Sequence, residues 1–182
     1  DRYKPLINKS ISNQYPPGST IKPFVAIAAL EAGISESKTI FCNGKHEILD
    51  KSLESGVKTF HCWKKKGHGK VNLNEAIKVS CDVYFYQIAR EIGINKIAEV
   101  CKRFGLGKQV FKEFFEESNG LVPNKSWKKE TLGTSWMVGE TLSAGIGQGY
   151  FLATAAQLSL ALAQLVNGGK KIDPHIVYRN KI

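Results

Sequence analysis

Ser19 and Lys22 stand three residues apart in Pro16-Pro17-Gly18-Ser19-Thr20-Ile21-Lys22-Pro23, and a hydroxyl with an amine at that spacing can carry out acyl transfer. A serine hydroxyl is a poor nucleophile near neutral pH until a neighbour takes its proton, and an amine takes one only when neutral. Pro16-Pro17-Gly18 cannot continue a helix backward, so the pattern predicts a helix from about Ser19. Pro23 then falls in the first turn, where its missing N–H had no partner to lose. The run Phe24 to Ala32 is Ala-rich, helix-periodic and closed by Gly33. Spacing i, i+3 brings the Lys22 amine within reach of the Ser19 oxygen. Burial under this apolar helix and the positive end of its dipole both favour the neutral amine. The plain alternative makes Ser19 a helix cap and Lys22 a solvated charge. An isolated S-x-x-K recurs by chance, but here the Pro-Pro-Gly lead-in and the apolar helix would bury Lys22 with no carboxylate nearby in sequence.

The cysteines carry a second chemistry. Cys42, Cys62, Cys81 and Cys101 permit three pairings as two disulfides. A metal competes with that reading: Cys62 lies six residues before His68, Cys81 thirteen after it, and Cys42 opens the same stretch. Cys₃His is a standard donor set for tetrahedral structural zinc, although these spacings are longer than a zinc finger's. Residues Asn43 to Val71 are rich in Gly and Lys and poor in apolar side chains, so the segment would gain from a staple. A Cys42–Cys62 disulfide is the main alternative. Cys101 shares a helical face with Ile97 and Phe104 and reads as a buried free thiol. His46 and His61 are spare candidates, each more simply incidental.

The elements that must position these groups are legible in outline. After the Ser19 helix comes a loop-rich insertion over about 40–71, then a short helix over Asn74 to Val79. Helices over Val83 to Ile92 and Asn95 to Phe104 follow. Residues 108 to 142 show no sustained period and read as an irregular wall. Gly145-Ile146-Gly147-Gln148-Gly149 lacks the G-x-G-x-x-G spacing of a phosphate loop and reads as a tight lead into a long helix over Leu152 to Val166. With 182 residues, 42% of them hydrophobic, the chain suffices for one domain with a real core. No apolar run approaches the roughly 20 residues that span a bilayer, and no signal peptide opens the chain. The 26 basic residues outnumber 16 acidic ones, but the lysines are scattered except for Lys64-Lys65-Lys66 and Lys128-Lys129. No nucleic-acid-binding motif accompanies them. Solvated charge, or a surface facing anionic lipid or cell-wall polymer, accounts for the excess.

Tyr15-Pro16-Pro17-Gly18-Ser19-Thr20-Ile21-Lys22-Pro23-Phe24 resembles the active-site segment of class B penicillin-binding proteins, D,D-transpeptidases that cross-link peptidoglycan and are acylated on the S-x-x-K serine. Ser80-Cys81-Asp82, followed by Val83-Tyr84-Phe85-Tyr86-Gln87, resembles the family's second motif. Val138-Gly139-Glu140-Thr141 and Gly145-Ile146-Gly147-Gln148-Gly149-Tyr150 through Thr154 are similar to the G-D-T…G-I-G-Q-G-Y segment of the elongation-specific subgroup, the penicillin-binding protein 2 group. Trp63-Lys64-Lys65-Lys66-Gly67-His68-Gly69 matches the same subgroup, so the likeness spans nearly the whole chain.

The resemblance implies an α+β penicilloyl-serine transferase fold in which Ser19 is acylated, Lys22 takes its proton and Ser80 helps return it. Asp82 would hold Ser80 or Lys22 by hydrogen bonds. Ser80 and Asp82 also read as an ordinary N-cap pair for the helix behind them, and one residue can do both. The subgroup implies a structural Zn²⁺ held by Cys42, Cys62, His68 and Cys81, and no organic cofactor. It implies peptidoglycan stem peptides as substrates, β-lactams as covalent inhibitors, and a membrane glycosyltransferase of the rod-shape elongation machinery as partner. The implied location is the periplasmic face of the bacterial inner membrane. One motif departs from the family: its K-T-G or K-S-G strand is absent, since Lys58-Thr59 is followed by Phe60 and precedes the second motif. The expectation is a partial transpeptidase domain over residues 1–182, mainly the helical part, with the C-terminal sheet strands, membrane anchor and pedestal domain missing. Such a fragment would be inactive, because losing one oxyanion-hole donor alone costs about 10²–10³ in rate. A serine β-lactamase is the enzymatic alternative, with no separate Glu motif to activate water. A non-catalytic β-lactam-sensing or scaffold domain, or a zinc-stapled basic binding module, are the others.

Overall fold

The computed structural model describes residues 6–50, 53–111 and 113–175. In chain order the described elements are α1 (Lys9–Ser12), α2 (Lys22–Glu31), β1 (Ile40–Cys42), β2 (Lys45–Leu49), β3 (Val57–His61), β4 (Gly69–Val71), α3 (Leu73–Lys78), α4 (Asp82–Ile92), α5 (Ile94–Arg103), α6 (Lys125–Leu132), α7 (Val138–Gly145) and α8 (Ala155–Val166). No described helix is long and apolar enough to cross a membrane.

The core forms around α4. Val83, Tyr84, Phe85, Ile88 and Ala89 are almost wholly removed from solvent, so this helix is covered on most sides and needs neighbours all round. It packs against α2, α5 and α7. α7 comes close because Gly145 faces it: a Cβ there would lie 2.5 Å from the Ala89 Cβ. Phe24 of α2 is fully buried and meets Phe104 edge-on at 5.1 Å. A Phe buried in this way contributes about 3–5 kcal/mol relative to Ala.

Local chemistry sets the helix ends. Asn72 caps α3 and Glu75 reaches back to the Asn72 N–H, a reciprocal capping box. Thr154 and Gln157 do the same for α8. That box moves the start of the last helix to Ala155, three residues later than the apolar run suggests. Residues 151–153 are extended instead, and Leu152 and Ala153 bridge to Leu121 and Tyr15.

Three expectations need correction. The helix does not begin at Ser19: residues Gly18–Ile21 form a 3₁₀ turn, with the Lys22 N–H on the Ser19 carbonyl, and α2 proper starts at Lys22. The insertion over 40–71 is not simply loop. The β2–β3 hairpin is nested inside an antiparallel β1–β4 pair, with Ile40 opposite Val71 and Lys45 opposite His61. Some of its apolar residues point inward and anchor it, since Phe60 packs 5.5 Å from the Tyr86 ring on α4 and Ile48 is buried, while Phe41 and Leu49 are exposed. The wall over 108–142 contains α6, capped by Asn124 and closed by Gly133 in the left-handed conformation, and the start of α7. Those helices are short and mixed in composition, so they leave no sustained period.

Candidate active site

Ser19, Lys22, Ser80 and Asp82 meet at the junction of the 3₁₀ turn, α2 and the start of α4. The Lys22 side chain is 3% exposed. Its ammonium donates to Asp82 Oδ1 at 2.6 Å, Ser80 Oγ at 2.9 Å and the Ser80 carbonyl at 3.0 Å, which uses all three of its protons. The Ser80 hydroxyl donates in turn to Ser19 Oγ at 3.0 Å. Lys22 is therefore joined to Ser19 through Ser80 rather than directly. The pull of Ser80 and Asp82 on the amine accounts for this.

The carboxylate absent from the local sequence is supplied from 60 positions away, by Asp82. Neither Ser80 nor Asp82 caps α4. The N-cap is Cys81, without a side-chain cap, and Asp82 sits in the first turn with its other oxygen, Oδ2, accepting from the Trp63 N–H at 3.0 Å. The positive end of α4 and two donors fix this carboxylate against Lys22.

The group opens into a cleft of about 470 Å³. Ser19 and Ser80 line it, with His61, Trp63, Tyr86 and Gln148 among the other lining residues. Those last four were not foreseen as cleft residues; His61 read as incidental and Trp63 only as part of a motif. The Tyr86 hydroxyl donates to the His61 carbonyl at 3.1 Å, and burial pushes the phenol up from its ordinary range, so it stays a neutral donor. The Gly145–Gly149 segment turns against the nucleophile: Gly18 N–H donates to the Gly147 carbonyl at 2.9 Å, and a Cβ on Gly147 would lie 2.2 Å from the Gly18 oxygen. Only glycine permits that approach.

Behind the cleft, Cys42, Cys62, His68 and Cys81 gather with one donor atom each, all within 4.8 Å of one another. All four cysteines of the chain are free thiols, so the Cys42–Cys62 disulfide does not form. Cys101 is buried apart from the cluster, as expected. His68 Nδ1 lies 3.7 Å from the Cys42 sulfur and 3.5 Å from the Cys62 sulfur. A tetrahedral ion with ordinary Zn–S and Zn–N bonds sets N and S about 3.6 Å apart, so the donor set fits such an ion. Burial, followed by the charge of Lys64, lowers the His68 pKa and favours the neutral ring that a ligand requires. Burial pushes the Cys81 thiol up to about 12, so binding a cation there releases a proton. His46 and His61 take no part in the cluster.

Residues 1–181 match the penicillin binding protein transpeptidase domain. The chain belongs to this family. It is 42% identical over 178 residues to the peptidoglycan D,D-transpeptidase MrdA of Haemophilus influenzae, covering 97% of this chain and 27% of that one. Against the MrdA of Escherichia coli K12 the identity is 38%, with the same coverage. The structure of Helicobacter pylori penicillin-binding protein 2 in complex with MreC superposes with a TM-score of 0.88 at 38% identity, over 100% of this chain and 33% of that one. The chain thus spans about a quarter of the length of these curated relatives. The transpeptidase fold expected from the motifs stands, and the helix-rich structure corresponds to part of that domain.

Proposed function

We propose that this transpeptidase domain acts in peptidoglycan cross-linking through an acyl-enzyme on Ser19, and is acylated by β-lactams at the same atom. The observation that carries the reading is the continuous path from Lys22 Nζ through Ser80 Oγ to Ser19 Oγ. Ser19 attacks the carbonyl of the penultimate D-alanine of a stem peptide. Its proton passes to Ser80 Oγ while the Ser80 proton passes to Lys22, and Asp82 holds the ammonium so formed. The recorded directions, with Lys22 donating to Ser80 and Ser80 to Ser19, are those reached once the proton has moved to Lys22; before attack a neutral Lys22 accepts from Ser80 and Ser80 accepts from Ser19 over the same contacts. When the tetrahedral intermediate collapses, the path runs in reverse and delivers the proton to the leaving D-alanine. The amine of a second stem peptide then resolves the ester. Two hydroxyls and one amine held within 3.0 Å steps supply general acid–base assistance of the order of 10²–10⁴.

Nothing in the cleft favours hydrolysis over transfer. Among the described lining residues the one carboxylate is Asp82, already engaged by Lys22 and Trp63, so no free carboxylate stands by to activate water. Cys42, Cys62, His68 and Cys81 would hold a structural Zn²⁺, which would staple the β1–β4 ribbon to the start of α4. By analogy with the relatives, the complete protein works at the periplasmic face of the inner membrane beside a glycosyltransferase of the elongation machinery. The MreC complex of the Helicobacter relative supports that setting.

Intact mass after incubation with a penam tests the reading on the complete protein. A stable adduct in the wild type that is absent from Ser19→Ala is expected. Rapid drug hydrolysis without an adduct would instead identify a β-lactamase, and no reaction at all a scaffold domain. Elemental analysis is expected to find about one zinc per chain; a metal-free protein would remove the staple.

A further inference from the structure

Ser80 is the one described residue other than glycine with a positive φ, at 51°. Its position explains why. The Cys81 N–H reaches back to the Ala76 carbonyl at 2.9 Å and the Ser80 N–H to the Ile77 carbonyl at 3.1 Å, the bonding pattern that closes a helix through a left-handed residue. That residue is ordinarily glycine, because a Cβ is disfavoured there. Here it must be serine, since the path from Lys22 to Ser19 needs its hydroxyl. A disfavoured conformation persists only where its surroundings over-determine it. The Lys22 ammonium takes the Ser80 carbonyl from one side, and the remaining contact comes from Trp63, whose indole N–H reaches both the Val79 and Ser80 carbonyls at 3.1 Å.

We propose that Trp63 is a positioning residue for acyl transfer: its indole N–H clamps the left-handed turn at Val79-Ser80 and so aims the Ser80 hydroxyl at Ser19 and Lys22. The proposal rests on the acyl-transfer reading above and deepens it. Trp63 is 64% exposed, so burial of the ring in the core does not explain its placement. Its main-chain N–H also holds Asp82, and its ring meets His68 edge-on at 5.2 Å. One residue thereby touches both ends of the Ser80-Cys81-Asp82 motif and a member of the Cys/His cluster. The main-chain bond to Asp82 survives any side-chain exchange, so the indole contribution is separable from it.

The test replaces Trp63 in the complete protein with 3-benzothienylalanine, which keeps the ring shape and exchanges N–H for sulfur. Acylation by a fluorescent penicillin is followed to saturation. The expected result is a fall of about 10-fold in the limiting acylation rate, the scale of one lost hydrogen bond, with the dissociation constant of the penicillin and the melting curve unchanged. Trp63→Phe, a smaller ring also lacking the donor, serves in its place if the first exchange depresses melting. In a Ser80→Gly background, where no strained serine remains to be aimed, the same exchange is expected to leave the residual rate unaltered. An unchanged limiting rate in the first variant, or an equal fall in the Ser80→Gly background, overturns the proposal. If the wild-type protein itself fails to be acylated, the acyl-transfer reading falls and takes this inference with it.

Discussion

Asp82→Asn probes the contact on which the site depends. The Lys22 and Asp82 side chains are 3% and 13% exposed and meet at 2.6 Å. Water therefore replaces little of what either would lose. Leaving one partner of a buried pair uncompensated costs about 3–5 kcal/mol. In a domain of this size each kcal/mol lowers the melting temperature by about 2–4 °C, so the loss is roughly 6–20 °C. The transpeptidase unfolding transition of the complete protein, followed by calorimetry, reads this directly. Acylation by a penam is expected to fall at least 10²-fold as well, because the ammonium that forms when the Lys22 amine receives the Ser19 proton loses its counter-charge. The double variant Lys22→Met/Asp82→Asn separates the two effects. Removing both charges is expected to restore much of the stability while leaving acylation lost. Asp82→Asn melting with the wild type, or a double variant no more stable than the two single losses added, would refute the reasoning.

Gly147→Ala places a Cβ against the Gly18 backbone, which cannot step aside, and at a φ of 71° that alanine disfavours; a loss of about 2–4 kcal/mol is expected in denaturant melts. Because Gly18 precedes Ser19, acylation should slow more than the lost stability alone explains, and equal melting with equal acylation would refute the close approach. His46 carries a lowered pKa, chiefly because burial disfavours its charged ring and secondly because of Arg90, and its buried Nε2 has no hydrogen-bond partner. A base held neutral in this way contributes stability above the ordinary His range, and that stability is lost as pH falls through the depressed pKa. His46→Phe, which keeps the ring stacked near Tyr86, should flatten the loss of melting temperature on the acid side of about pH 6.5; an unchanged pH profile would refute the assignment.

The local patterns were readable because they follow from chain chemistry alone. Pro-Pro-Gly before Ser19 and the Ala-rich run after it each specify a helix end or face within a few residues. The sequence also supplied all four members of the Ser/Lys/Ser/Asp group and all four of the Cys/His cluster, by type and motif. Their partnerships were less legible. Lys22 turns to Ser80 and Asp82 rather than to Ser19, which the simple i, i+3 argument does not foresee, and the nested ribbons over 40–71 stay hidden because short strands with few apolar residues carry little alternation. The cleft residues His61, Trp63 and Tyr86 come from a strand end, a loop and a helix, and no single period links them.

The amino-acid order by itself determined which residues could carry the chemistry and that helices would hold them, since proline placement and apolar spacing act over single turns. Only the tertiary structure decided how they connect. Lys22 meets Asp82 across 60 positions and Ser80 meets Ser19 across 61, while Ser80 adopts a left-handed turn that its own chemistry disfavours. Those choices belong to the packing of α2 against α4. Burying a lysine requires the nearest available carboxylate and carbonyl to be brought to it, whatever their separation along the chain.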